Sequence, residues 1–175
     1  MDIKELQRNV ETLRQGIEKG GARIAQLTQE RRHCVGEKDK LETSGRELAQ
    51  QARVEENPNR RVALSNEVNT YASRIVVLNT RIGELSMQIE KLIQDMKGFV
   101  GTCNQYQEEV NRNLQVLDQS INTFSQIMEK KYGRNERVQI LQSMRSLVIE
   151  NRDVGATCDN VKKYIESITV THNNE

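Results

Sequence analysis

A single proline, Pro58, stands in 175 residues, and on either side of it apolar side chains recur at alternating steps of three and four. That spacing is the a/d signature of helices packed along a seam, and it constrains this chain more than any motif in it. The first series runs Ile3, Leu6, Val10, Leu13, Ile17, Gly20, Ile24, Leu27, Arg31, Cys34, Lys38, Leu41, Gly45, Leu48 and Ala52. Branched residues favour one register position and leucine the other, as coiled coils prefer. The pattern stops over residues 53–61, where Asn57 is placed to cap a new helix. Pro58 occupies that helix's first turn, where a missing N–H costs nothing.

A second series follows from Leu64 through Val68, Tyr71, Ile75, Leu78, Ile82, Leu85, Ile89, Leu92, Met96, Phe99, Cys103, Tyr106 and Val110. It resumes at Leu114 after a four-residue stutter and continues to Leu117, Ile121, Phe124 and Met128. Residues 131–135 read as a turn, with Gly133 as a left-handed C-cap and Asn135 as the next N-cap. The third series is Ile140, Met144, Leu147, Asn151, Val154, Cys158, Val161, Ile165 and Ile168. The spacing therefore predicts three helices, near 2–54, 58–131 and 136–169, with Gly98 and Gly101 as the one place inviting a break.

Register arithmetic favours pairing within one chain. An antiparallel hairpin centred on Pro58 sets Gly45 opposite Tyr71, Gly20 opposite Met96, Ala52 opposite Leu64 and Val10 opposite Tyr106. Small against large keeps the core volume constant. Arg31 and Lys38 then lie over Leu85 and Leu78, with their alkyl stems on the seam and their charges in water. A parallel homodimer would stack glycine on glycine and Arg31 on Arg31. A second hairpin centred on Arg134 pairs Phe124 with Met144, Ile121 with Leu147, Leu114 with Val154 and Val110 with Cys158. The expected fold is all-α: elongated antiparallel coiled-coil hairpins made of three long helices. Residues 1–113 form an N-terminal arm, 114–170 a C-terminal hairpin, and 171–175 a flexible tail.

Composition agrees with a seam rather than a globule. Hydrophobic residues make up 35% of the chain, against roughly 45% in ordinary domains, and charged residues 29%. Sandwiches, barrels and doubly wound sheets need apolar strands and frequent Gly/Pro turns, which are missing here. Twenty-six basic against twenty-five acidic side chains leave +1, too little to draw the chain to nucleic acid or an anionic membrane. The longest aliphatic run, Ile75-Val76-Val77-Leu78, is far below the ~18 residues of a membrane span, and the amphipathic start has no signal-peptide core. Cys34, Cys103 and Cys158 are odd in number and widely spaced, as suits reduced thiols in the cytoplasm.

Chemistry-bearing patterns are few. Glu30-Arg31-Arg32-His33 has the Glu-x-x-His spacing of di-iron bundles, but Arg31 is the inward residue, and the second histidine, His172, lies in the tail. The cysteines fall on seam positions, where a thiol packs as a small apolar group. The Gly98-Phe99-Val100-Gly101 run fits a hinge better than a nucleic-acid loop. No phosphate-binding or nucleophile-elbow motif occurs, so neither an enzyme nor a cofactor is expected.

Two features point outward instead. Val116 and Ile127 on the second helix, with Leu141, Val148 and Ile149 on the third, widen the apolar stripe beyond what one seam buries. Two copies are expected to associate there, through 114–128 and 138–149, as a four-helix bundle. Basic residues also gather at the hairpin tips: Arg60 and Arg61 at one, Lys130, Lys131, Arg134 and Arg137 at the other, offering contact points for protein partners. The reading is a cytoplasmic, non-enzymatic scaffold or adaptor. Its rival is a nucleic-acid- or membrane-surface-binding accessory resembling in outline BAR-type three-helix dimers, which would need its basic residues on one face.

Overall fold

A computed structural model describes residues 1–131 and 133–174, without the side chains of Glu129 and Lys130. Its order is α1 (Ile3–Val54), α2 (Pro58–Lys131) and α3 (Arg134–Asn173), with no strand among the described residues. The fold is all-α, as the heptads require.

The first connection follows the cap chemistry. Asn57 Oδ1 accepts the backbone N–H groups of Asn59 at 3.0 Å and Arg60 at 3.2 Å, two of the donors that a helix start leaves orphaned. Pro58 is the first residue of α2. Arg61 reaches back across the turn, donating from Nε and Nη2 to the Glu55 carbonyl at 2.9 and 2.6 Å. The Glu55 carboxylate accepts the Asn57 N–H at 3.0 Å.

The second connection and the helices it joins depart from expectation in four respects. Gly133 is the N-cap of α3 rather than a C-cap of α2, in an extended conformation with φ −66° and ψ 157°, and no described glycine has positive φ. An N-cap sits in the β region, which needs no left-handed residue. Asn135 consequently lies inside α3. The far end of α3 also continues into the expected tail, to Asn173, where hydroxyls such as Thr171 Oγ1 bond back to Ser167 O at 2.8 Å. Nor does α2 break at Gly98 and Gly101. Both face open space, so the helix passes through them unstrained.

The chain divides into two compact units, residues 1–21 with 93–175 and residues 22–92, rather than at 113/114. In the first unit all three helices meet. Leu6 and Val10 of α1, Val110 of α2, and Val154 and Cys158 of α3 form one buried cluster, with Ile3, Tyr106 and Leu114 packed at its edge. A Cβ on Gly20 would touch Met96 Sδ at 3.6 Å, the pairing the register gives. Gly21, beside the seam, is itself buried under the Tyr164 ring of α3, and any Cβ there would overlap the phenol. That contact between α1 and α3 is absent from pairwise register arithmetic. It bears on Gly21 alone, since a Cβ at Gly20 would make only an ordinary van der Waals contact with Met96.

The second unit is a two-helix seam. Ile24, Leu27, Cys34, Leu85 and Ile89 are buried, while Leu41, Leu48, Leu64, Val68, Tyr71, Ile75 and Leu78 are half-buried, because two helices cover each other on one side only. Gly45 lies against Tyr71, as expected. Arg31 and Lys38 are half-buried, and Arg31 Nη1 donates to Ser86 Oγ at 3.4 Å.

Two measurements check these assignments. Asn57→Ala removes the cap of α2 and should lower unfolding free energy by about 1 kcal/mol in urea titration. Gly98→Ala/Gly101→Ala, with nothing for the new methyls to strike, should raise it by roughly 1 kcal/mol per site through helix propensity alone.

Candidate interaction site

The first unit holds its third helix over only part of α2 and α3. The Met1 amino group meets Glu109 Oε2 at 3.4 Å, and α1 begins at Ile3. Beyond that level α2 and α3 run on as a pair for about 18 residues each, or ~27 Å. Most seam positions there are half-covered: Leu117, Ile121, Phe124 and Met144 are half-buried and Leu147 and Ile140 are each 37% exposed, while Met128 is buried at 2%.

Two grooves flank this pair. One is lined by Val116, Gln119, Ser120, Thr123, Phe124 and Ile127 of α2 with Met144 of α3. It carries no charged side chain. The other is lined by Leu114, Gln115, Asp118 and Ile121 of α2 with Arg145, Val148, Ile149 and Arg152 of α3. Val116 and Asp118 are two residues apart, hence about 200° around the helix, so the grooves lie on opposite sides of α2.

Heptad spacing shows which side belongs to α1. Val116 follows Glu109 by one heptad, and Glu109 is the partner of Met1. Ser120 and Ile127 follow Tyr106, which packs against the Leu6–Val10 cluster. The neutral groove is therefore the seat of α1 continued without its third helix. Val116 is 61% exposed there and Ile127 49%.

The five residues expected to form one interface are thus divided. Val116 and Ile127 line the neutral groove; Val148 and Ile149 line the opposite one, with Ile149 at 58% exposure. Leu141, one heptad before Val148, is half-buried on the same stripe as Val148. Leu114 and Ile121, read from the sequence as seam residues only, also form the floor of the second groove. Their double role was hidden because a heptad assigns each residue a single face.

The tip residues are not alike. Arg61 is engaged in closing its own turn, whereas Arg60 is exposed beside a shallow depression with Gln51, Val54 and Glu56. Lys131 and Arg134 are exposed and Arg137 is half-buried; the Lys130 side chain lies outside the described residues. Glu30 is held by Arg81, Nη2 to Oε1 at 2.5 Å, and His33 is exposed. Among the described residues no three His, Cys, Asp or Glu side chains gather as a metal site needs, and no helix is long and apolar enough to cross a membrane.

Polar groups inside the first unit are paired. Asn151, 2% exposed on a seam position, donates to Leu147 O at 2.8 Å and accepts from Asn113 Nδ2 at 3.0 Å. Lys162 Nζ donates to Gln107 Oε1 at 2.6 Å and Asn104 Oδ1 at 3.1 Å, while Gln107 donates to Asp159. The three cysteines are buried and free. Burial pushes the Cys103 thiol up, and the Cys158 thiol from its ordinary 9.0 to about 11. Both are poor nucleophiles, because the thiolate is the reactive form.

Searches of protein-family models, curated proteins and solved structures gave no match to this chain.

The thiols make a pH prediction. The unfolded chain releases the Cys158 proton near pH 9, whereas the folded chain holds it to about 11. Rising pH therefore favours the unfolded state, and the stabilisation present below 9 is lost between 9 and 11. Urea midpoints at pH 8 and pH 10.5 should fall further for the wild type than for Cys158→Ala, which lacks this titration.

Proposed function

We propose that this chain is a non-enzymatic helical scaffold or adaptor, working in the cytoplasm, that assembles as a homodimer through the neutral groove of its first unit. The observation that carries the reading is the exposed apolar lining of this neutral groove, where Val116 stands 61% exposed and Ile127 49%. Contiguous apolar surface of this kind is what soluble chains bury against partners. Two copies placed face to face supply each other with the missing cover, as a four-helix bundle.

Charge supports a like partner on this side. A twofold interface sets each residue near its own counterpart or that counterpart's neighbours, so a charged lining would face like charge. The lining of Val116, Gln119, Ser120, Thr123, Phe124, Ile127 and Met144 has none to oppose. The cytoplasmic setting is supported by three buried, unpaired thiols, which an oxidising compartment would not maintain as readily.

Sedimentation velocity on the full chain tests this directly. The wild type should sediment as a dimer, and Val116→Glu/Ile127→Lys as a folded monomer with unchanged helical circular dichroism. A variant that keeps the dimeric mass removes this interface; a wild type that is monomeric at tens of micromolar removes the homodimer.

A further inference from the structure

We infer that the groove on the other side of α2 and α3, floored by Leu114, Ile121 and Val148 with Ile149 at its outer edge, is a docking site for an acidic amphipathic helix of a different protein. The inference rests on the adaptor reading above and supplies its partner; it does not need the homodimer.

Three observations carry it. The floor is apolar on both helices, and Ile149 stands 58% exposed with nothing of this chain over it. The α3 rim carries two exposed arginines, Arg145 and Arg152, one heptad apart and so separated by ~10.5 Å along one stripe. Among the described residues neither takes part in an ion pair. Elsewhere Arg14 pairs with Glu11 and Glu18, Arg74 with Glu37, Arg81 with Glu30 and Arg112 with Glu109; exposed Arg8, Arg53 and Arg60 also lack an ion pair among the described residues, and what sets Arg145 and Arg152 apart is their shared stripe beside an apolar groove. Here the guanidinium groups are left open beside an apolar strip.

The chemistry of the occupant follows. A helix lying in the groove presents leucine-like side chains at i, i+3 or i+4, and i+7 to the floor. Carboxylates one heptad apart on one flank reach Arg145 and Arg152, each guanidinium able to donate a bidentate pair of hydrogen bonds to a carboxylate. Across the groove the rim carries Asp118, which suits a single lysine or arginine on the other flank. A second copy of this chain is the poorer occupant: a twofold pairing of this side sets four arginines against two aspartates. The two sides are thus chemically distinct, the neutral one matched to self and the arginine one to an acidic partner.

The test uses the full-length wild-type chain and two synthetic amphipathic peptides of about 18 residues, identical in their apolar heptads. One carries glutamate and the other lysine at the heptad position flanking the apolar stripe. Fluorescence anisotropy in low salt should show the glutamate peptide binding at least tenfold more tightly, with the preference shrinking as salt screens the pairs. In Arg145→Glu/Arg152→Glu, whose changes are both on exposed positions, the preference should invert toward the lysine peptide. Equal binding of the two peptides by the wild type, or a glutamate preference that survives the charge reversal, overturns the proposal. A change of sedimenting mass on the same reversal also overturns it, by making this side the self-interface. The homodimer reading is judged separately, by the Val116→Glu/Ile127→Lys mass.

Discussion

The first unit rests on the seating of α1 between α2 and α3. Leu6 and Val10 reach essentially zero exposure because Val110, Val154 and Cys158 enclose them from two helices at once. In the other unit Leu41, Leu48, Tyr71 and Ile75 remain half-buried, while Leu27, Leu85 and Ile89 are sealed at 1% exposure or less. At roughly 25 cal/mol per Å² of apolar surface removed from water, the third helix adds to the core of the first unit. With only 35% hydrophobic residues, the chain has little apolar surface to place elsewhere.

Much of this was readable from residue order because heptads encode register. Gly20 opposite Met96 and Gly45 opposite Tyr71 follow from a hairpin centred on Pro58, and the Asn57 cap follows from local chemistry that needs no tertiary contact. The contact of Gly21 with Tyr164 was not readable. Register arithmetic compares helices two at a time, and both residues lie off the seams it uses. The same limit hid the division of the apolar face: Val116 and Ile127 read as one widened stripe with Val148 and Ile149 in the sequence, but the two pairs line different grooves. Gly133 misled for another reason. Glycine allows left-handed backbone without demanding it, and an extended N-cap uses none of that freedom.

The polar residues of the first unit contribute alignment rather than burial energy. Asn151 spends a seam position on an amide, which a leucine would fill with more apolar surface. Its bond to Leu147 O lies within α3, but the bond it accepts from Asn113 is formed only when α2 and α3 are in one register. A polar pair on an a/d position penalises slipped alternatives, in which the amide is buried unpaired, more than it weakens the correct one. The Lys162, Gln107 and Asn104 contacts act at the same interface, roughly one to one and a half heptads further along. A helix pair that continues uncovered past its third helix has particular need of such alignment, since apolar side chains alone tolerate a one-turn slip.

Register in turn fixes what the uncovered stretch presents. Arg145 and Arg152 share a stripe because they are one heptad apart, but they overlook Leu114 and Ile121 only in the alignment that joins Asn113 to Asn151. A slip of one turn, about 5.4 Å, would move the arginines past Asp118 and leave Val148 against the polar residues between the apolar steps. The same displacement would carry Met144 away from Phe124 on the neutral side. The one contact between Asn113 and the buried Asn151 is therefore tied to the layout of both grooves, holding their apolar linings and the stripe of Arg145 and Arg152 in a single frame.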